Sequence, residues 1–469
     1  MDGTNLGIIS LIPALTFFVL ALTTKKCITS VMISGTLGYI LYYKADFFMP
    51  LMDAIQGAAS NADNNYIVII CLLFGCFVQL LREAKGALAV GELARKYVKS
   101  EKQVLLLTWL CGVIIFIDDY LSILVTANCV LSLSDEHKTP REMLCYIINT
   151  TSAPVCLIIP ISAWVVFFSG IFEQQPEAAV AGNSAMDIYY HIMPYFFYPF
   201  LCVLFVLLVI SGVVPKMGGM KKAYQRVAET GQVWPESSSM LNQGVEIAEA
   251  KNEAAGEGAE GEKEVKSHLW AFFVPMAIVI ITTLMLDDIL YGVVCGILSC
   301  FILFVPTRIL KYGEFCNACY KGLEDMLYIA VVLVTSLLYR QAITLVGLSD
   351  FLIDVAGPYM SSAWLPAITF VLIGLVCFAT GSIWSIPAIC TPIILPLAAS
   401  TGANIPLTLG AIISAACFGA QACFYSDVTL LSSSACRINN VDYAVAQLPY
   451  IGIVTAITFV GYIIAGFVL

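Results

Sequence analysis

Charge is what this chain has least of. Only 12% of its 469 residues are Asp, Glu, Lys or Arg, and it has three histidines. A net charge of −10 does not suit a nucleic-acid partner. The lone CxxC, Cys316 and Cys319, has neither a second pair nor a nearby histidine. A structural zinc ion takes four ligands, so none is expected there. Most of the 17 cysteines sit inside apolar runs, where a thiol behaves as a small hydrophobe. The sequence offers no nucleophile–base constellation, so an enzyme is not expected, nor is a cofactor. The basic n-region of a cleavable signal peptide is also missing, and the first apolar run, 6–24, is long enough to span a bilayer. What the chain does have is hydrophobic residues, 59% of the total, with a mean hydropathy of +0.88. That is the composition of a polytopic membrane protein.

Apolar segments fall at 6–24, 28–43, 66–82, 103–134, 142–172, 188–214, 269–286, 289–306, 326–347, 363–399, 405–435 and 446–468. Residues 1–215 read as a first transmembrane repeat and 268–469 as a second. Between them 216–267 reads as a flexible cytoplasmic linker, its later part rich in Glu, Ala and Gly. The halves resemble each other in order along the chain: Pro13 aligns with Pro275, Arg82 with Arg340 and Pro194 with Pro449. Five crossings plus one non-crossing hairpin per half would invert the second half. With both termini outside, every one of the 23 basic residues except Lys44 and Arg340 falls on a cytoplasmic segment, as the positive-inside rule asks.

Two adjacent carboxylates, Asp118 and Asp119, interrupt the run 103–134 at FIDDYLSILVTANC. Carboxylates at membrane depth are costly and rare, which makes them functional-site candidates. Each flanking arm of about 15 residues is roughly 22 Å of helix, against a hydrocarbon core of roughly 30 Å. The arms are therefore expected to form a re-entrant hairpin, matched by a second at 363–399. The runs 142–172 and 405–435 are longer than a crossing needs. They carry polar or helix-breaking centres and read as helices broken near mid-membrane, the way secondary transporters build ion sites. The candidate ligands are Asp118, Asp119, Asn149, Thr150, Thr151, Ser152, Thr380, Gly381, Ser382, Ser426, Asp427 and Thr429. Asp118 and Asp119 are the expected sodium ligands. Asp427 reads either as a ligand or as a helix cap. Arg340 reads either as a snorkelling interfacial residue or as an anion anchor. Arg82, its repeat mate, is explained by positive-inside bias alone.

FIDDYLSILVTANCVL followed by TPREMLCYIINTTSAPVCLIIPISAW resembles the NhaC-type sodium/proton antiporter family of the ion-transporter superfamily. ATGSIWSIPAICTPIILPLA and CFGAQACFYSDVTLLSSSACRINNVDYAVAQLPY resemble that family's second hairpin and second broken helix. The resemblance implies an all-α polytopic membrane protein with two inverted repeats, each of about five transmembrane helices plus one re-entrant hairpin. It implies exchange of Na+ for H+ with Asp118 or Asp119 central. One departure bears on coupling: where the family pattern has Asp-His after glycine, this chain has Ala420 and Gln421. The alternative is a sodium-coupled transporter or exchanger of a small carboxylate or amino acid. The expected partners are the lipid bilayer of a cell membrane, a small cation, in the alternative an organic anion or amino acid, and a second copy in a homodimer.

Overall fold

The computed structural model describes residues 6–24, 27–60, 62–86, 98–239, 241–242, 269–286, 288–356, 361–381, 383–424 and 426–469. Every regular element among them is helical. The first half runs α1 (Leu11–Thr24), α2 (Cys27–Tyr43), α3 (Phe48–Ser60) and α4 (Ala62–Glu83), then a hairpin of α5 (Glu101–Ile114) and α6 (Asp119–Glu136). An interrupted helix follows as α7 (Arg141–Thr151), α8 (Ala153–Ile158) and α9 (Ala163–Glu173), then α10 (Ala185–Ile192) and α11 (Phe197–Ser211). α12 (Gly218–Thr230) lies between the halves. The second half has α13 (Trp270–Leu286), α14 (Ile289–Phe304), α15 (Tyr312–Leu345) and α16 (Leu348–Ala356). It continues with a hairpin of α17 (Leu365–Thr380) and α18 (Ser385–Thr401), a broken helix of α19 (Ile405–Ala422) and α20 (Asp427–Ala435), and α21 (Asn440–Val468).

Local chemistry sets each break. After α5 the chain turns extended at Asp118, whose side chain accepts the Leu121 N–H at 2.8 Å and so caps α6. Pro160 lies in the gap between α8 and α9, where the axis bends by 45°. Ser162 then caps α9. Gly381 ends α17 in the left-handed region (φ 68°), which a residue without Cβ adopts at no steric cost. Cys423 ends α19 in extended backbone, and Ser426 caps α20. The run 188–214 also bends, by 52°, where Met193–Tyr195 forms a 3-10 turn around Pro194. Two described helices, α19 and α21, are long and apolar enough to cross a bilayer singly, and the two bent pairs bring the number to four. Other apolar helices are 10–17 residues long, under the roughly 20 that a full crossing takes.

The helices fall into two packed groups. In one, α4 lies along α15, α2 packs on α15, α14 on α4, α1 on α2 and α13 on α14. In the other, the two hairpins embrace the two broken helices, with α11 and α21 alongside. Small residues let backbones meet in both, as membrane helix interfaces favour. A Cβ on Gly322 of α15 would fall 2.3 Å from the Gly75 carbonyl oxygen of α4. A Cβ on Gly112 of α5 would fall 2.0 Å from Thr151 Oγ1 of α7, and one on Gly419 of α19 2.3 Å from the Cys377 Cβ of α17.

The segment expected to be flexible from 216 onward is folded over 216–239 and 241–242; residues 240 and 243–267 lie outside the described residues. α12 and the chain behind it are held against the bundle by buried charge. Arg226 pairs with Glu142 through two bonds of 2.7 and 2.9 Å. Arg141, 3% exposed, donates to Asp135 at 2.7 and 3.1 Å and to Asn242 at 2.6 Å, and its guanidinium lies 4.4 Å from the Trp234 ring centre. Backbone ties complete this strap: Arg141 N–H to Val233 O at 2.9 Å and Asn439 N–H to Ser238 Oγ at 2.8 Å. Composition misled here because the acidic, glycine-rich half of the segment masked the amphipathic GGMKKAYQRVAET that precedes it.

Arg141→Met is expected to lower stability by about 3 kcal/mol, since breaking a buried pair strands its partner; an unchanged unfolding temperature in detergent would contradict the strap. Gly322→Ala is expected to cost about 2 kcal/mol by overpacking the α4–α15 crossing, read in the same thermal assay.

Candidate functional site

The N-termini of α6 and α20 point their first residues into one cavity of about 260 Å³. Asp118 and Asp119 come from the hairpin tip of the first half, and Asp427 from the break in the second. Tyr120, Trp384, Ala163, Gly75, Val78 and Met326 supply the neutral walls, and Arg82 and Asp325 the remaining charge. Helix N-termini carry partial positive charge and stabilise carboxylates placed there.

The three aspartates are held differently. Asp118 is the N-cap of α6. Asp427 is instead the first residue of α20, behind the Ser426 cap; its Oδ1 accepts the Val428 N–H at 2.9 Å and its Oδ2 accepts the Tyr120 hydroxyl. Asp119 is 2% exposed, and its Oδ2 has no hydrogen-bond partner. The Trp164 indole N–H, which has no other partner, is the donor beside this carboxylate but stands outside hydrogen-bond geometry to Oδ2. A buried carboxylate oxygen left unpaired carries a desolvation cost that a bound cation or a proton relieves. Trp164 stacks on Trp384 with ring centres 4.3 Å apart, so the break in the first broken helix meets the tip of the second hairpin.

Arg82, which positive-inside bias alone explains in the sequence, lines the cavity. Its Nη2 lies 3.8 Å from Asp118 Oδ1 and its Nη1 3.7 Å from Asp325 Oδ2. The signal available was its position at the end of an apolar run, which positive-inside bias explained equally well. Arg340 does not line this cavity; it sits late in α15.

Two neutral candidates, Asn149 and Thr150, sit elsewhere, in a buried network at the contact of α7, α19 and α21. Asn149 donates to the Tyr443 hydroxyl at 2.5 Å, Tyr443 to Gln447 Oε1 at 2.7 Å, and Gln447 to the Gln421 carbonyl at 2.9 Å. Gln421 donates to Thr150 Oγ1 at 2.6 Å and accepts from the Tyr198 hydroxyl at 2.6 Å. Thr151 and Ser152 bond carbonyls of their own helix, Ile147 at 2.8 Å and Asn149 at 2.9 Å. Ser426 and Thr429 bond the Ala420 carbonyl at 2.6 and 3.2 Å. In the second hairpin Thr380 bonds Val376 O at 2.7 Å and Gly381 serves as the C-cap. Both therefore sit at a carbonyl end of a helix, as Asn149, Thr150 and Thr151 do, and not at the donor end that an anion would need. Ser382 lies outside the described residues.

Residues 155–467 match the Na+/H+ antiporter family. The matched stretch begins beyond Asp119 and takes in Trp164, Trp384 and Asp427. The chain is 26% identical to an uncharacterized protein of Haemophilus influenzae, over 98% of this chain and 91% of that one. Its fold is similar to that of MtrF from Neisseria gonorrhoeae, reported within a class of antimetabolite efflux pumps: TM-score 0.58, 14% identity, 97% of this chain and 95% of that one. It is similar also to the YdaH transporter of Alcanivorax borkumensis: TM-score 0.59, 13% identity, 97% of this chain and 98% of that one. With well over half of its length matched, this multi-pass membrane chain belongs to the Na+/H+ antiporter family.

Proposed function

We propose that the chain is a secondary active antiporter of the NhaC type that exchanges Na+ for H+ at the three-aspartate cavity, with Asp119 as the carboxylate that takes either ion. The observation that carries this is the buried, unpartnered Asp119 oxygen facing the same cavity as Asp118 and Asp427. Sodium binds to oxygen, and these carboxylates together with the Tyr120 hydroxyl offer it. A proton on Asp119 removes the same negative charge, so the two ions exclude one another at one group. That exclusion is what couples their movements.

Reciprocal packing supports two inverted repeats, 1–215 and 268–469. α2 packs on α15 of the other half as α14 packs on α4, and α11 packs on α19 as α21 packs on α7. In this arrangement the termini lie outside, and the strap and residues 243–267 are cytoplasmic, as positive-inside bias favours. An organic anion is the weaker substrate. It would meet three carboxylates in a cavity whose one basic lining residue among the described residues, Arg82, already faces two acids.

In proteoliposomes, Asp119→Asn is expected to abolish Na+-dependent pH change, because the amide keeps the shape and takes no proton. Asp427→Asn is expected to weaken it, and Arg340→Gln to leave it intact. Wild-type exchange by Asp119→Asn, together with uptake of a carboxylate or amino acid that Arg340→Gln loses, would replace this function with the anion-coupled one.

A further inference from the structure

We propose that Arg82 is a tethered counter-cation of the transport site, which compensates Asp118 when no cation is bound and gives it up toward Asp325 when one binds. The inference rests on the antiport function above.

Arg82 is held by charge more than by hydrogen bonds. Its Nη1 donates to Gln79 Oε1 at 3.0 Å, while its buried Nε has no partner. Its approaches to Asp118 and Asp325, 3.8 and 3.7 Å, are ion pairs longer than a hydrogen bond. A guanidinium fixed for structure uses its planar fork to grip a carboxylate at hydrogen-bond length, as Arg226 grips Glu142 in this same chain. Arg82 does not, so a small rotation takes it from one acid to the other.

The two acids differ in what they need. Asp118 is 2% exposed, whereas the Asp325 side chain is 43% exposed and is solvated without Arg82. Asp118 Oδ1 also accepts the Leu121 N–H, so the hairpin tip keeps its cap when Arg82 leaves. The pair spans the two helix groups as well. Arg82 and Asp325 stand on α4 and α15, and Asp118 stands on the hairpin that packs with the broken helices. Arg82 thus ties the groups together while the site lacks a cation and loosens them once Asp118 is taken. A fixed positive charge next to the ligands competes with the incoming ion, and removing it should improve apparent affinity.

The test measures the KM for Na+ in proteoliposomes, by Na+-dependent proton flux, for the wild type, Arg82→Gln, Arg82→Lys and Asp325→Asn. Arg82→Gln is expected to lower KM by about tenfold, a modest share of the Coulomb term between charges near 4 Å. Arg82→Lys, which keeps the tethered charge, is expected to stay close to wild type. Asp325→Asn leaves Asp118 as the sole acid for Arg82 and is expected to raise KM; this arm stands even where Arg82→Gln fails to fold. A KM for Arg82→Gln at or above wild type, or a lowered KM for Asp325→Asn, overturns the proposal while leaving the proposed function in place. A wild-type protein that moves no protons in response to Na+ overturns both.

Discussion

Two adjacent carboxylates buried in a helical membrane protein, Asp118 and Asp119, with a third, Asp427, lining the same cavity, are the constraint on which the other features depend. Each buried ion costs several kcal/mol unless something compensates it. An unbroken helix satisfies its own backbone and offers a carboxylate nothing. A helix N-terminus offers free N–H groups and partial positive charge, but only where the helix has been interrupted. Hence α6 begins at the buried pair Asp118–Asp119, and α20 begins at Asp427 on the wall of the same cavity. Each interruption then frees backbone groups of its own. The caps at Asp118, Ser162 and Ser426 answer for the N-termini, and Gly381 turns the chain out of α17. The close contacts at Gly112 and Gly419 bring each broken helix against its hairpin.

Charge and neutral polarity are kept apart. The aspartates, Arg82 and Asp325 share the cavity. The network around Gln421 contains only amides, hydroxyls and carbonyls, and both ends of the Gln421 amide are bonded. Gln421 stands where the NhaC-type pattern has a titratable side chain, and a saturated amide there joins α7, α11, α19 and α21 without changing charge. In the proposed cycle, protonation therefore falls on the aspartates at the cavity, and the polar centre of the broken helices serves as a rigid hub.

Much of this was legible in the residues. A carboxylate pair inside an apolar run located the first hairpin tip, because burying charge at depth has few structural excuses. Runs of excess length with Pro160, Gly419 and Ser426 inside them located the broken helices. What could not be read was which way each polar group points. Asn149, Thr150, Thr151, Thr429 and Ser426 have the chemistry of ligands, yet each is bonded to its own helix or to a neighbour. Arg82 and Arg340 occupy aligned positions with opposite outcomes, because the cavity opens beside one member of the pair and not the other. The strap was not legible because the adjacent anchors Arg141 and Glu142 bond Asn242 and Arg226, 101 and 84 residues away, and meet them only through folding.

The central claim is that one buried carboxylate takes either a sodium ion or a proton. The most direct measurement is proton release when Na+ is added to the purified, detergent-solubilised protein in weak buffer, followed with a pH indicator. The account predicts that Na+ binding releases protons from the wild type and none from Asp119→Asn. Saturable Na+ binding with no proton release, or release that persists unchanged in Asp119→Asn, would contradict it.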